Sequence, residues 1–390
     1  MIEVSEKLKA LVEYPFAELD RKKAEVLKKG IDVISLGIGD PDLPPLPGVI
    51  EKLKESTTMP NVNKYPSYKG SEELRYAVAK WYEERFGIKL DHETEALILI
   101  GAKEGIGHIP LAFINAGDSV LVPDPGYPVY KAGTILAGGS PLTMPLRSEN
   151  NFLPDLKDIE KKYGTQLKNC KMMFINYPNN PTSAVADENF FKEVVDFAQR
   201  HNIIVCHDAT YSEITYDNYK AQSFLQTEGA KDIGIEFHSL SKSCNMTGWR
   251  IGFVVGNREV IAGLGKVKTN LDSGAPNHMQ IAGVEAIKTM QENLKKILPI
   301  YKERRDMLVK AIQEAGINMQ SPKATFYLWI PVPAGIKSVN FCTKVLEECG
   351  VLVTPGTGFG AEGEGYFRIS LTASTELIKE AYKRIKNLRL

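Results

Sequence analysis

Short apolar runs alternate with amphipathic stretches through the middle of the chain, and the two spacings separate strands from helices. Residues 71–86, SEELRYAVAKWYEERF, read as a helix with Ser71 as its N-cap and acids in the first turn. Strand-like runs follow at ALILIG (96–101), Ser119–Val122, Met172–Ile175, Ile203–Cys206, Ile235–His238 and Ile251–Val255. Helical stretches such as Glu188–His201 lie between several of them. Strands interleaved with helices predict a mostly parallel α/β sheet covered on both faces. From about Asn277 the pattern changes to long helices. Residues 293–315 form one amphipathic stretch, with a kink expected at Pro299. Strand-like runs return at Phe326–Ile330, Val351–Val353 and Tyr366–Ser370, before a terminal helix from Thr375. The expected organisation is a large α/β domain over 45–290 and a smaller α+β domain built from both termini, 1–44 and 291–390. A chain of 390 residues is long enough to require two.

Composition narrows the partners. Lys+Arg and Asp+Glu balance at 48 each, which argues against nucleic acid or an acidic membrane surface as the main partner. A local basic pocket for one phosphate is still allowed. The five cysteines, at 170, 206, 244, 342 and 349, include no CxxC pair and fit neither a disulfide framework nor a zinc site. A reducing cytoplasm is the expected setting. The first residues carry charges throughout, with no apolar signal region, and no run approaches the roughly 18 apolar residues of a membrane span.

The most informative segment is FHSLSKSCNMTGWRIG (237–252). It puts Lys242 between serines, after an apolar strand and before a glycine-containing turn. That places an amine at the carboxyl end of a parallel strand, where α/β folds bind ligands. Lysine is the side chain that condenses with carbonyl cofactors. The hydroxyls of Ser239 and Ser241 and the guanidinium of Arg250 suit a phosphate dianion. A solvated Ser/Lys loop is the alternative.

A second constellation comprises NYPNNPT (176–182) and DATY (208–211), each after a strand. A pyridine ring that acts as an electron sink works best with its nitrogen protonated, so it needs a buried carboxylate, and Asp208 suits that role. Asn180 and Tyr211 supply an amide and a hydroxyl for a ring phenolate. Singly, NNP is a turn signal and an aspartate after a strand can be a helix cap. Other motifs carry less. Gly358–Gly363 matches GxGxxG but is followed by a strand-like run, so a turn is expected there. His207 and His238, inside strand runs, are expected to be satisfied core residues. Phe326 belongs to a core strand but is a candidate to face a substrate.

Taken in order, IGDPD (38–42), KYPSYKG (64–70), DPGYPVY (124–130), NYPNNPT, DATY, SLSK (239–242), MTGWRIG (246–252) and YFRIS (366–370) resemble the class I aminotransferases of fold type I over nearly the whole chain. The segment from Tyr14 to Pro44 carries a narrower likeness to LL-diaminopimelate aminotransferases. The resemblance implies pyridoxal 5′-phosphate on Lys242 and exchange of an α-amino group between an amino acid and a 2-oxo acid. It also implies a homodimer with shared sites. It further implies Tyr127 stacked on the cofactor ring, Ala102 and Lys103 at its phosphate, Tyr65 reaching that phosphate from a partner subunit, Arg368 clamping the substrate carboxylate, and Tyr14 and Gly39 on the substrate side. Three departures stand out. Ser183 follows NNPT where the family has glycine; Val-Glu precede Tyr14 where the narrower family has Pro-Pro; and residues 268–274 offer Asp272 but no second arginine for a side-chain carboxylate. Diaminopimelate or an N-acyl derivative therefore becomes the expected substrate, with Asp272 a candidate for its far ammonium. Aspartate, alanine or aromatic amino acids and β-lyase chemistry are the alternatives.

Overall fold

In the computed structural model, residues 2–11, 16–28 and 30–388 are described, residues 16–20 in backbone alone. Twelve strands run through the described residues. They are β1 (Ile34–Ser35), β2 (Ala96–Leu99), β3 (Ser119–Asp124), β4 (Ser140–Pro145), β5 (Cys170–Asn176), β6 (Ile204–Asp208), β7 (Gly234–Ser239), β8 (Gly252–Gly256), β9 (Tyr327–Pro331), β10 (Val351–Leu352), β11 (Thr354–Pro355) and β12 (Tyr366–Ser370). Seven of them form one sheet in the order β2-β8-β7-β6-β5-β3-β4. All neighbours pair in parallel except β8, which runs against both β2 and β7. The mostly parallel sheet expected from the sequence is present.

Burial alternates along these strands between two apolar layers. Leu97, Val120, Met172, Phe174, Cys206, Ile235, Phe237 and Val254 pack with Ile106 and Ile109 of the helix Ala102–Phe113 and Leu264 of the helix Arg258–Leu271. The intervening Ile98, Leu121, Met173, Val205, Phe253 and Val255 join the larger cluster on the other face. With both faces covered, each strand reads as a continuous apolar run. Strand β4 escaped the sequence reading because Pro141 and Pro145 argue against a strand. It lies at the sheet's edge, where a missing N–H leaves no ladder bond broken.

Local signals set the helices. The helix Glu72–Phe86 starts on Ser71, whose hydroxyl accepts from the Leu74 amide, and stops at Gly87, which takes the left-handed conformation. The helix Met290–Glu314 continues through Pro299 without a break and begins three residues before the expected 293. Its buried stripe, Leu294, Ile297, Tyr301, Leu308 and Ile312, compensates for the one backbone hydrogen bond that proline removes.

Two small sheets complete the strands, β1 beside β10 and the antiparallel order β11-β12-β9. The buried Arg304 of the long helix joins them to the early chain. Its guanidinium binds both oxygens of Asp42, at 2.7 and 2.8 Å, and the Leu371 carbonyl at 3.1 Å. The GxGxxG segment is two 3₁₀ turns leading to β12, a turn as expected. Its glycines serve packing. A Cβ on Gly360 would strike the Asp124 carboxylate at the end of β3, which accepts the Ala361 and Glu362 amides at 3.2 and 3.0 Å.

On the face of the sheet opposite the helix Ala102–Phe113, Glu236 is fully buried between His207 and His238, each 2.8 Å from one of its oxygens. Tyr82, Ser223 and the Phe224 amide also donate to it. Burial alone would raise the Glu236 carboxyl, but the two imidazoles hold it below the usual carboxylate range. The second nitrogen of His207 lies 2.9 Å from the Tyr177 carbonyl, so both its ring nitrogens have partners. Both histidines are satisfied core residues, as the strand pattern predicts. The five cysteines are free and buried, and among the described residues no helix is long and apolar enough to cross a membrane.

Removing Asp42 would strand the Arg304 charge in the interior. Asp42→Ala is expected to lower the unfolding free energy by about 2–3 kcal/mol, read from denaturant midpoints.

Candidate active site

The alternation that builds the two apolar layers also decides where the reactive side chains go. Asn176, Asp208 and Ser239 end β5, β6 and β7 and share the face of Phe174, Cys206 and Phe237. Asp208 and Ser239 open on a cavity of about 510 Å³ at the carboxyl ends of the parallel strands. Gly39, Ala102, Lys103, Tyr127, Asn180, Asp208, Tyr211, Ser239, Ser241, Lys242, Arg250 and Arg368 all line it. Tyr65 does not; it stands 89% exposed on the surface. Tyr14 lies outside the described residues.

Lys242 follows β7 on a one-turn helix, Leu240–Ser243, and its ammonium donates to the Gly39 carbonyl at 2.9 Å. Burial lowers its pKa to about 8; Arg368 and Arg250 push the same way, while Asp40 and Asp208 oppose them. Asp208 is buried, and both its oxygens accept hydrogen bonds. Tyr130 donates to one oxygen at 2.7 Å, and the Thr210 amide and hydroxyl donate to the other at 3.1 and 2.6 Å. The Asn176 amide fixes the Asp208 carbonyl at 2.7 Å.

Arg368, on β12, lies with its guanidinium between two rings, 4.1 Å from the centre of Tyr327 and 4.5 Å from that of Phe359. It donates to Asn180 Oδ1 and to the Gly37 carbonyl, both at 2.7 Å. Asn180 therefore spends its oxygen on the arginine and keeps its NH₂ as a donor. The Tyr211 and Tyr327 hydroxyls are 2.9 Å apart, and burial holds the Tyr211 phenol well above its usual pKa. Gly39 has to be glycine, because a Cβ there would overlap the Tyr327 phenol.

At the other end of the cavity, Gly101 caps the helix Ala102–Phe113 in a positive-φ conformation with no side chain to satisfy the first amides. A Cβ on Gly101 would strike the guanidinium of Arg250, itself left-handed at φ 59° and anchored to the Thr247 carbonyl at 2.8 Å.

Several lining residues were not found from the sequence. Tyr327, Phe359, Thr210 and Thr247 line the cavity, and Tyr130 supports Asp208 from behind. Phe326, the candidate of the FYLWI strand, is fully buried, with the Lys242 ammonium 5.5 Å from its ring centre, and its neighbour Tyr327 faces the cavity instead. Alternation along β9 makes these two exclusive, and the sequence does not say which parity points inward. Asp272, the candidate for a far ammonium, does not line the cavity. It ends the helix Arg258–Leu271, where Lys268 binds both its oxygens at 2.9 and 3.1 Å and the Gly274 amide donates at 2.7 Å.

The same architecture recurs in solved structures. BacF from Bacillus subtilis, with substrate bound, is 36% identical with a TM-score of 0.94, covering 100% of this chain and 98% of that one. A probable N-succinyldiaminopimelate aminotransferase from Thermus thermophilus is 35% identical with a TM-score of 0.89, covering 95% and 99%. The fold is that of the fold-type I aminotransferases. The chain belongs to the family described as aminotransferase class I and II, whose sequence model matches residues 31–385. Among its relatives, LL-diaminopimelate aminotransferase of Aquifex aeolicus is 53% identical over the full length of both chains. That of Halothermothrix orenii is 51% identical over 99% of this chain and 98% of its own. The protein is a transferase of amino groups.

A buried amine with a lowered pKa has a direct signature. In cofactor-free protein, reductive methylation of Lys242, followed by peptide mass mapping, should rise with pH through a midpoint near about 8. Exposed lysines should follow the ordinary value of about 10.4. A Lys242 midpoint that coincides with theirs contradicts the desolvation account.

Proposed function

We propose that this aminotransferase carries pyridoxal 5′-phosphate on Lys242 and takes an amino acid and a 2-oxo acid in turn. The observation that carries the reading is a buried amine with a pKa near 8 sharing one cavity with a buried carboxylate and an anion cradle. The residues fit the group. The Arg250 guanidinium, seated against Gly101 where a Cβ would be, lies beside a helix N-terminus and suits a phosphate, with the Ala102 and Lys103 amides and the Ser239 and Ser241 hydroxyls as further donors. Asp208 holds a proton on a ring nitrogen, Asn180 and Tyr211 donate to a ring oxygen, and Tyr127 covers the ring face. When bound, the cofactor delocalises the electron pair left on the substrate α-carbon.

The protein's own groups do the rest. Arg368 clamps the α-carboxylate bidentately while Gly39 borders the substrate. Lys242, neutral in a substantial fraction at pH 8, takes the α-proton and returns it elsewhere on the same face. The exposed Tyr65 suits a residue presented to a second copy, which supports a homodimer with composite sites. The smaller domain from 1–44 and 291–390 brings Arg368 over the larger domain of 45–290. Five free, buried cysteines support a cytoplasmic setting.

For the amino donor we propose LL-diaminopimelate, supported by the 53% and 51% identical relatives of that name and by the likeness of the segment from Tyr14 to Pro44. The test mixes holoenzyme with LL-diaminopimelate, its N-acyl derivative, aspartate, alanine and phenylalanine, and follows loss of the cofactor's long-wavelength absorption. LL-diaminopimelate should react with the highest kcat/KM; a higher value for aspartate or phenylalanine rejects the substrate and leaves the chemistry. Arg368→Lys should raise KM for amino and keto acids alike by about 100-fold, since an ammonium cannot copy the planar fork. An effect limited to cofactor affinity would place the arginine elsewhere.

A further inference from the structure

Two neighbouring residues near the cavity hold an unusual backbone. Ser183 and Thr325 are both buried and both left-handed, at φ 59° and 65°, a conformation that is uncommon for serine and an outlier for a β-branched threonine. Neither is glycine, so something local stabilises them. Their hydroxyls are 2.7 Å apart. The Ser183 hydroxyl reaches the Tyr327 carbonyl at 2.8 Å, and the Tyr327 amide reaches Thr325 Oγ1 at 3.0 Å. Each hydroxyl has one hydrogen, and a carbonyl only accepts. The directions follow by elimination: the Tyr327 amide donates to Thr325, Thr325 donates to Ser183, and Ser183 donates to the Tyr327 carbonyl. The ring closes with every hydrogen used, and it clamps both main-chain polar groups of Tyr327.

The ring also joins two loaded segments. Ser183 ends the loop that carries Asn180, a loop stiffened by Asn179, which accepts the Thr182 amide and hydroxyl at 2.9 and 2.8 Å. Tyr327 in turn has its phenol against Gly39 and its hydroxyl 2.9 Å from that of Tyr211. Burial keeps Tyr211 protonated, so it has one hydrogen to donate. On the reading above, that hydrogen goes to the cofactor's ring oxygen. The bond between the phenols then has one direction left, from Tyr327 to Tyr211.

We propose that Tyr327, held by the Ser183–Thr325 hydroxyl ring, is a positioning residue that donates to Tyr211 and sharpens the hydrogen bond Tyr211 makes to the cofactor's ring oxygen. Donors in series polarise one another, so the relay stabilises the ionised oxygen more than Tyr211 alone. This inference rests on the cofactor reading, and its test separates the two. The measurement is the pH midpoint of the cofactor's visible absorption change in holoenzyme, which a purely structural role would leave in place. Tyr327→Phe removes one hydroxyl and should move the midpoint up by roughly 0.5 unit, about threefold in proton affinity. Ser183→Gly, whose backbone accepts φ 59° without strain, opens the ring and should shift it the same way by less. It also serves as the test should Tyr327→Phe not fold. Because Ser183 acts only through Tyr327, the double variant should match Tyr327→Phe alone. An unmoved midpoint in the single variants, or shifts that add in full, overturns the relay. A wild-type protein with no such absorption band overturns the cofactor reading and the relay with it.

Discussion

An ammonium taken out of water has to be compensated or give up its proton, and Lys242 is held between those outcomes. Burial removes its solvent, and two guanidinium groups add repulsion, while Asp40 and Asp208 pull the other way. The balance leaves an amine that changes charge near pH 8. Much of the surrounding structure serves that balance. Arg368 is turned toward the cavity by the Gly37 carbonyl and Asn180, Arg250 is anchored to Thr247, and the Gly39 carbonyl receives the amine.

The architecture that delivers these groups was legible because it depends on period-two burial and on strand ends. The runs around 172–175, 203–206 and 235–238 read as buried strands, and each carries its polar residue at the carboxyl end. Lys242, Asp208, Asn180 and Tyr211 share one cavity because the parallel strands of the sheet end together; Arg250 joins them just before the antiparallel β8, and Arg368 from β12 of a small sheet. Asn180, Asp208, Tyr211, Lys242 and Arg250 were singled out by chemical type in that chain order, and Arg368 by the family resemblance.

What stayed hidden depends on approaches between segments far apart in sequence. Tyr327 reaches the cavity because of the parity of β9, and Phe359 because the glycine turn at 356–363 seats itself on Asp124. Neither follows from local pattern. Asp272 shows the converse. It stands in the stretch 268–274 that offers no second arginine, which made it a candidate for a far ammonium, yet the buried Lys268, also paired with Glu104 at 3.2 Å, claims its carboxylate. Ser183 looked only like a departure from a motif. Its hydrogen-bonding role becomes visible once residue 325 is beside it.

The carboxylate cluster of Glu236, His207 and His238 sits one residue out of phase with the reactive side chains of the same strands. A slip of one position would turn Glu236 and His207 into the cavity and press Asp208 and Ser239 into an apolar layer. Both faces of β6 and β7 thus carry polar groups that fit at a single alignment, the way a key is cut on two edges. The rear edge stays cut when the front is altered. Such a framework can trade the residues that meet its ligands while the strands that present them keep their alignment.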